Sequence, residues 1–463
     1  MSVKEALEYL RNHRTQAVHD LIEFLRIPSV STDPAHKKDV SSAANFLKEI
    51  FRGIGLACRI HKTSGHPVVE AWSSPRKGVR TVLIYGHYDV QPPEPLDEWI
   101  SPPFEPTVRK GNLYARGASD DKGPVMAHVK AVEAWLKTGA LLPVNVRFLI
   151  EGEEEIGGTS LTECVGPDPE RFHADAILVS DTPMLGPGKP AICYGIRGIV
   201  YTEVIIRTAA SDLHSGCHGG LAPNAAIVIT ELLGKLKRKD GKVNVPGFYR
   251  NVIPLTRRER ESLRAADWDP ERYLREIGAK AFPGGEEQYH PRERQWARPT
   301  LDINGLSSGF TGEGAKTIIP CTARAKISAR LVPDQNPEQI ESALEDYLRS
   351  NCPPYAEISI RKFESASPLM VSPDTPYIEA AARALRRVFG RPPVFIREGG
   401  SIPILSYLSA TLEAPVVMMG FGRPDDNLHA PNEKFNLADF HRGASASACY
   451  LEEMGRIAKG WND

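Results

Sequence analysis

The sequence predicts an α/β fold: a mixed, largely parallel sheet flanked by helices, with a smaller α+β domain inserted into it. Three observations carry this. Apolar runs at residues 81–85, 144–150 and 176–179 lack the alternation of a half-exposed strand, as expected where helices cover both faces of a parallel sheet. Amphipathic segments of helical period separate them. From Ile199 the strands alternate cleanly instead, and after Pro373 the first style returns. Both ends of the chain, 1–198 and 371–463, are therefore expected to build one domain, with 199–370 inserted.

Residues 3–27 carry apolar side chains at helical spacing (Ala6, Leu7, Leu10, Val18, Leu21, Ile22, Leu25), stopped by Pro28. A second helix runs from about Ser41 to Gly53, and short strands follow at 57–62 and 68–72. Gly86 breaks the central strand, and His87 and Asp89 come next, two residues apart and so on one side of an extended segment. In open α/β sheets the binding crevice lies just past the carboxyl ends of the strands. The pair reads either as a metal ligand with its orienting carboxylate or as a satisfied loop histidine. A proline-rich surface loop leads to Asp120 and Asp121, placed at the start of a helix over 124–137. An N-cap accounts for one aspartate and leaves the other unexplained. The strand at 144–150 ends in Glu151, Glu153, Glu154 and Glu155, which repel one another unless cations compensate; a solvated acidic turn is the alternative. The strand at 176–179 ends in Asp181. Three strands thus terminate in ligand-type residues at one sheet edge.

The inserted region begins with an alternating strand at 200–207, followed by Asp212-Leu213-His214-Ser215-Gly216 and a helix over 222–237. A polar stretch at 257–277 precedes a strand at 322–332, a helix at 336–349 and a strand at 358–363. Beyond it come a helix at 377–389, a Gly-rich loop at 397–403, a strand at 416–419 and a helix at 437–457. Between the last two lies Asp425-Asp426-Asn427-Leu428-His429-Ala430-Pro431-Asn432-Glu433.

At 463 residues the chain exceeds one ordinary core. With 57 basic and 58 acidic residues and no long single-sign run, it offers nucleic acid or an anionic membrane no electrostatic attraction. No apolar stretch approaches the roughly 18 residues of a membrane span, and the N-terminus lacks a signal-peptide core. Seven scattered cysteines without C-x-x-C read as the reduced thiols of a cytoplasmic protein.

Together, His87, Asp120, Glu154, Glu155, Asp181 and His429 offer imidazole and carboxylate without thiolate, which suits zinc, manganese or cobalt. Two histidines and three carboxylates make two sites if one carboxylate bridges ions roughly 3.5–4 Å apart. The motifs G-H-Y-D-V-Q-P, G-R-G-x-x-D-D-K-G-P, E-G-x-E-E-x-G, D-L-H-S-G, G-A-K-T-I-I-P, R-E-G-G-S-I-P and H-x-x-N-E-K resemble the M20 family of co-catalytic metallopeptidases across nearly the whole chain. The nearest resemblance is to its cytosolic non-specific dipeptidase and carnosinase branch.

That resemblance implies a metal-dependent dipeptidase with two divalent ions per subunit, zinc first, and a ferredoxin-like inserted lid that also forms a homodimer. It makes His87 and Asp181 ligands of one ion, Glu155 and His429 of the other, and Asp120 the bridge. Asp89 would orient His87, and Glu154 would be the general base on the bridging water. Thr317, Arg330 and Ser401 would hold the substrate's C-terminal carboxylate, and His214 would stabilise the oxyanion, reaching across the dimer. The family's Asp–Asp bond is cis, and the same is expected of Asp120–Asp121. His218 stands where relatives often carry an aromatic residue. An N-acyl-amino-acid deacylase is the alternative within the family, separated by the Arg330 and Gly-Gly-Ser-Ile-Pro features. A binding protein that lost its chemistry is disfavoured by the retained Glu154. A phosphodiesterase lacks its phosphate-cradling loop.

Overall fold

A computed structural model describes residues 3–265 and 269–457. They form two compact units: one holds the chain up to Tyr194, Val371–Ile396 and the chain from Tyr407, the other Gly195–Met370 and Arg397–Ser406.

In the first unit the Thr81–His87 strand pairs in parallel on both sides, Leu83 facing Arg147 of Asn145–Glu151 and Ile177 of Ala176–Val179. Val416–Met419 extends the parallel set beyond Ala176–Val179. Antiparallel strands flank it: Val68–Trp72 and then Ala57–His61 on one side, Ala191–Ile196 on the other. This is the mixed, largely parallel sheet expected. Its four parallel strands end at one edge, so the segments carrying His87, Glu154–Glu155, Asp181 and His429 all leave from there. The Lys122–Lys137 helix buries most of its circumference, which explains its weak amphipathic pattern. It packs on Leu437–Arg456, Trp135 Nε1 donating to Ala448 O at 3.2 Å. The stretch at 3–27 forms two helices, Val3–Asn12 and Arg14–Leu25.

The second unit runs strand, helix, strand, strand, helix, strand: Gly198–Arg207, Ala225–Lys235, Thr300–Ser308, Thr322–Leu331, Pro337–Asn351 and Glu357–Ala366. Its sheet is antiparallel, in the order Thr300–Ser308, Thr322–Leu331, Gly198–Arg207, Glu357–Ala366, which is the ferredoxin-like arrangement. One sheet face (Val200, Val204, Ile206, Ala325, Ile327) forms a core with Val228, Leu232, Ile340 and Leu344 of the two helices. The Gly-rich loop, expected with the α/β domain in 371–463, belongs to this unit instead. Arg197 donates from its backbone N to Gly400 O at 3.0 Å and from Nε to Gly399 O at 2.8 Å, and Arg397 pairs with Glu259. Among the described residues no helix is long and apolar enough to cross a membrane.

Glu70, fully buried on Val68–Trp72, pairs with Arg147 and Arg171 and with His61 Nε2 at 2.8 Å. Burial alone would raise its pKa; the His61 hydrogen bond and the two guanidinium charges outweigh that and hold it below the usual carboxylate value. Glu70→Gln is expected to cost about 2–3 kcal/mol of unfolding free energy at neutral pH. Wild type loses the same contribution as pH falls below the unfolded carboxylate pKa of about 4.3 and through the depressed folded value. Denaturant titrations from about pH 7 down to about pH 2 should therefore show the two proteins converging in acid.

Candidate metal centre

The central strand reaches the site through Gly86. A Cβ there would stand 2.5 Å from Val125 Cγ2 and 2.6 Å from Asp121 Oδ2, so only glycine lets the Lys122–Lys137 helix start against the strand end. His87 follows, fully buried. Its Nδ1 lies 3.1 Å from the Asp89 carbonyl and 3.4 Å from Asp89 Oδ1, which places the ring proton on Nδ1 and the lone pair on Nε2. The Asp89 carboxylate also accepts the Glu154 and Glu155 N–H groups at 3.3 and 3.2 Å. It thereby ties the first strand end to the acidic turn of the second.

Asp120 lies between the two histidines. Its Oδ1 is 3.0 Å from His87 Nε2 and its Oδ2 is 2.9 Å from His429 Nε2. Asp181 Oδ2 completes one side at 4.0 Å from His87 Nε2, and Glu155 Oε2 the other at 3.3 Å from His429 Nε2. Two ligand trios result, His87–Asp120–Asp181 and Asp120–Glu155–His429, each with its donor atoms within 4.8 Å of one another. Asp121 takes a different task, its Oδ2 accepting the His87 N–H at 3.2 Å. The Asp120–Asp121 peptide is cis.

The electrostatics fit cations. Burial, then the Asp120 charge, pushes Asp181 up to about 7. Burial, reinforced by Asp181, Glu155 and Asp120 against His87, raises Glu154 well above the carboxylate range. Glu155 is raised by burial and Asp120. Hydrogen bonds to Asp120 and Glu155 lift His429 to about 11. His87 Nε2 is buried without a hydrogen bond, although Asp120 Oδ1 is near. Buried carboxylates that resist ionising together, facing an orphaned imidazole nitrogen, make a donor set that divalent ions suit.

The second unit carries the remaining four sequence-derived residues, in two pairs. The Leu213–His214 strand pairs with Ile318–Ile319, and Ser215 N donates to Thr317 O at 3.1 Å, so His214 and Thr317 are neighbours. Arg330 Nη1 donates to Ser401 Oγ at 2.8 Å. His214 is exposed, and its Nδ1 accepts the Gly216 N–H at 3.0 Å, which leaves the neutral ring's proton on Nε2.

Sequence reasoning passed over Gln91 and Glu433. Gln91 Nε2 donates to Glu155 Oε2 at 2.8 Å; its presence in G-H-Y-D-V-Q-P was the available signal. Glu433 binds the loop that carries Asp120.

An imidazole–carboxylate cluster with one shared aspartate, buried on its His87 side and open at His429, defines a centre able to hold two cations in a peptidase-type α/β unit. The chain belongs to peptidase family M20/M25/M40, whose family model matches residues 83–453. It is 31% identical to the Cys-Gly metallodipeptidase of Schizosaccharomyces pombe, over 99% of each chain. It is 33% identical to the Beta-Ala-His dipeptidase of Homo sapiens, over 98% of this chain and 93% of the relative. Among solved structures it resembles the M20 family metallo-carboxypeptidase of Sulfolobus solfataricus, with a TM-score of 0.86 and 33% identity over 95% of this chain and 99% of that one.

Because Gln91 fixes one carboxylate of the cluster, Gln91→Leu should weaken the ion on the Glu155–His429 side by roughly 10-fold or more. Calorimetric titration of the metal-free protein reads this as one weakened binding event beside one unchanged.

Proposed function

We propose that the chain is a metal-dependent dipeptidase that hydrolyses the single peptide bond of a dipeptide, working as a homodimer in the cytoplasm. The observation that carries this reading is Asp120, with one oxygen toward each histidine at 3.0 and 2.9 Å, as a bridging carboxylate requires. The full-length similarity to a Cys-Gly metallodipeptidase and a Beta-Ala-His dipeptidase supports the substrate class.

His87, Asp181 and Asp120 would hold one divalent ion, and Glu155, His429 and Asp120 the other, with zinc favoured over manganese or cobalt. Such a pair supplies Lewis acidity, lowering the pKa of a water and polarising the scissile carbonyl. The chain's own groups do the rest. Glu154 takes a proton from the attacking water and delivers it to the leaving amine. Burial and neighbouring carboxylates raise its pKa in the metal-free protein, and bound cations would offset that rise by stabilising the carboxylate form that accepts the proton. Asp89 keeps the His87 ring in one tautomer. Arg330, anchored by Ser401, suits a bidentate grip on the substrate's C-terminal carboxylate, with Thr317 adding a hydroxyl. His214 donates from Nε2 to the tetrahedral oxyanion.

The homodimer uses the second unit. Its edge strand Thr300–Ser308 exposes Ile303 by 50% and Leu306 by 53%, an apolar rim for a second copy. In that arrangement His214 of the partner subunit serves the reaction of the first. The seven free cysteines fit a reducing compartment.

Glu154→Gln keeps volume and loses basicity, so turnover of a dipeptide such as Ala-Leu should fall by at least about 10²–10⁴-fold while both ions stay bound. Loss of an ion in that variant would make Glu154 a ligand, and near-normal turnover would remove the mechanism. Preference for longer peptides would point to carboxypeptidase action instead, and preference for N-acetyl amino acids to deacylation.

His214→Ala should cost about 2.7–4 kcal/mol in the transition state. Mixing it with Glu154→Gln should restore part of the activity, because a heterodimer contains one intact composite site. Subunit exchange without recovery would place His214 within its own chain's reaction or outside catalysis.

A further inference from the structure

One buried carboxylate beside the cluster has no part in the roles above. Glu433 comes four residues after His429 and is fully buried. Its Oε2 accepts from Arg116 Nη1 at 2.8 Å and from Gly117 N at 2.9 Å. Its Oε1 accepts from Ser119 N at 2.9 Å and Asp120 N at 3.2 Å. Four donors thus converge on two oxygens. The strap is continuous on both sides: Ala115 N donates to the Glu433 carbonyl at 3.1 Å, and Lys434–Asn436 pairs with Asn112–Tyr114. Asp426 adds a clasp by accepting from Ser119 Oγ at 2.9 Å. Gly117 sits at φ +80°, where a Cβ would meet Val90 Cγ1 at 2.5 Å, so the loop is bent tightly enough to aim the N–H groups of Gly117, Ser119 and Asp120 inward.

We propose that Glu433 is a positioning residue of the metal centre: by gathering the N–H groups of the Gly117–Asp120 loop, it fixes the Asp120 backbone relative to His429, so that the shared carboxylate can address both ions. This rests on the two-metal reading above. An aspartate has only two side-chain torsions, so a displaced backbone cannot be corrected at its carboxylate. Asp120 and His429 are 309 residues apart in sequence, and Glu433 binds the backbone of the one loop from within the other. Glutamine cannot replace it. Whichever way the amide faces, its NH₂ opposes two donors that the carboxylate oxygen had accepted. Aspartate keeps the charge opposite Arg116 but is one methylene too short to reach the loop.

The test titrates metal-free wild type, Glu433→Gln, Glu433→Asp and Glu70→Gln with Zn²⁺ against a chromophoric chelator, and records the unfolding midpoint of each. Wild type should take up two ions. Glu433→Gln should bind them roughly 10–100-fold more weakly, and Glu433→Asp should fall between it and wild type. Glu70→Gln, destabilised through Arg147, Arg171 and His61 and not through any residue of the cluster, should bind as wild type does. Wild-type affinity in both Glu433 variants would overturn the inference alone, as would a loss of affinity in Glu70→Gln matching its loss of stability. Wild type that takes up no second ion would overturn the two-metal reading itself. Where Glu433→Gln fails to fold, Glu433→Asp decides.

Discussion

Burying like charges together is the constraint on which the rest of the structure depends. Asp120, Asp121, Glu154, Glu155 and Asp181 crowd one sheet edge, and burial and mutual repulsion raise all of them except Asp120, which two histidines hold down. An unpaired buried charge costs several kcal/mol, so the cluster persists only where its surroundings compensate. The compensation is directional. Backbone N–H groups of Glu154 and Glu155 point at Asp89, that of His87 at Asp121, and those of Gly117, Ser119 and Asp120 at Glu433. Asp89, Asp121 and Glu433, none of them a candidate ligand, thus each hold in place a residue that is.

The sheet explains why so many carboxylates can meet. Parallel strands aim their carboxyl ends the same way, so four segments far apart in sequence leave from one edge. An antiparallel sheet would send alternate ends to opposite sides. The parallel pairing also leaves the central strands dry on both faces, and this lowers the dielectric in which the charges act. The apolar runs and the acidic turns are therefore two aspects of one arrangement.

Those two aspects were also the legible parts of the sequence. A dry strand leaves a run of Val, Leu and Ile, and a ligand at its end interrupts that run with His87, Glu154–Glu155 or Asp181. The inserted unit was legible for the opposite reason, since its half-exposed strands alternate. What escaped was whatever depends on backbone direction. Nothing in the chemistry of Asp120-Asp121 tells which aspartate faces the histidines and which accepts an N–H; the family resemblance alone assigned the bridge to Asp120. Gln91 reaches a carboxylate 64 residues away, and three of the four donors on Glu433 are backbone N–H groups, so local composition carries no trace of their roles. The Thr300–Ser308 strand was missed because it is an edge strand whose alternation is broken by polar residues and a register shift between Ile303 and Gly305. The Gly-rich loop was misplaced because its attachment runs through Arg197 and Arg397, whose partners lie far away in sequence.

The two histidines of the cluster are not equivalent. His87 ends a paired strand with its side chain fully buried and its Nδ1 held by Asp89. His429 sits in a loop at φ 58°, between Asn427 and Asn432, which also have positive φ, and its side chain is 55% exposed. A non-glycine residue in that region persists only where its surroundings enforce it. For His429 the enforcement comes from Asp120 and Glu155 in front, and from Glu433 and Asp426 holding the loop behind. One half of the centre is thus built into the sheet, and the other is assembled by hydrogen bonds between loops. The His87 side owes its geometry to strand pairing and the His429 side to buried carboxylates, so changes to the loop network should act first on the second half.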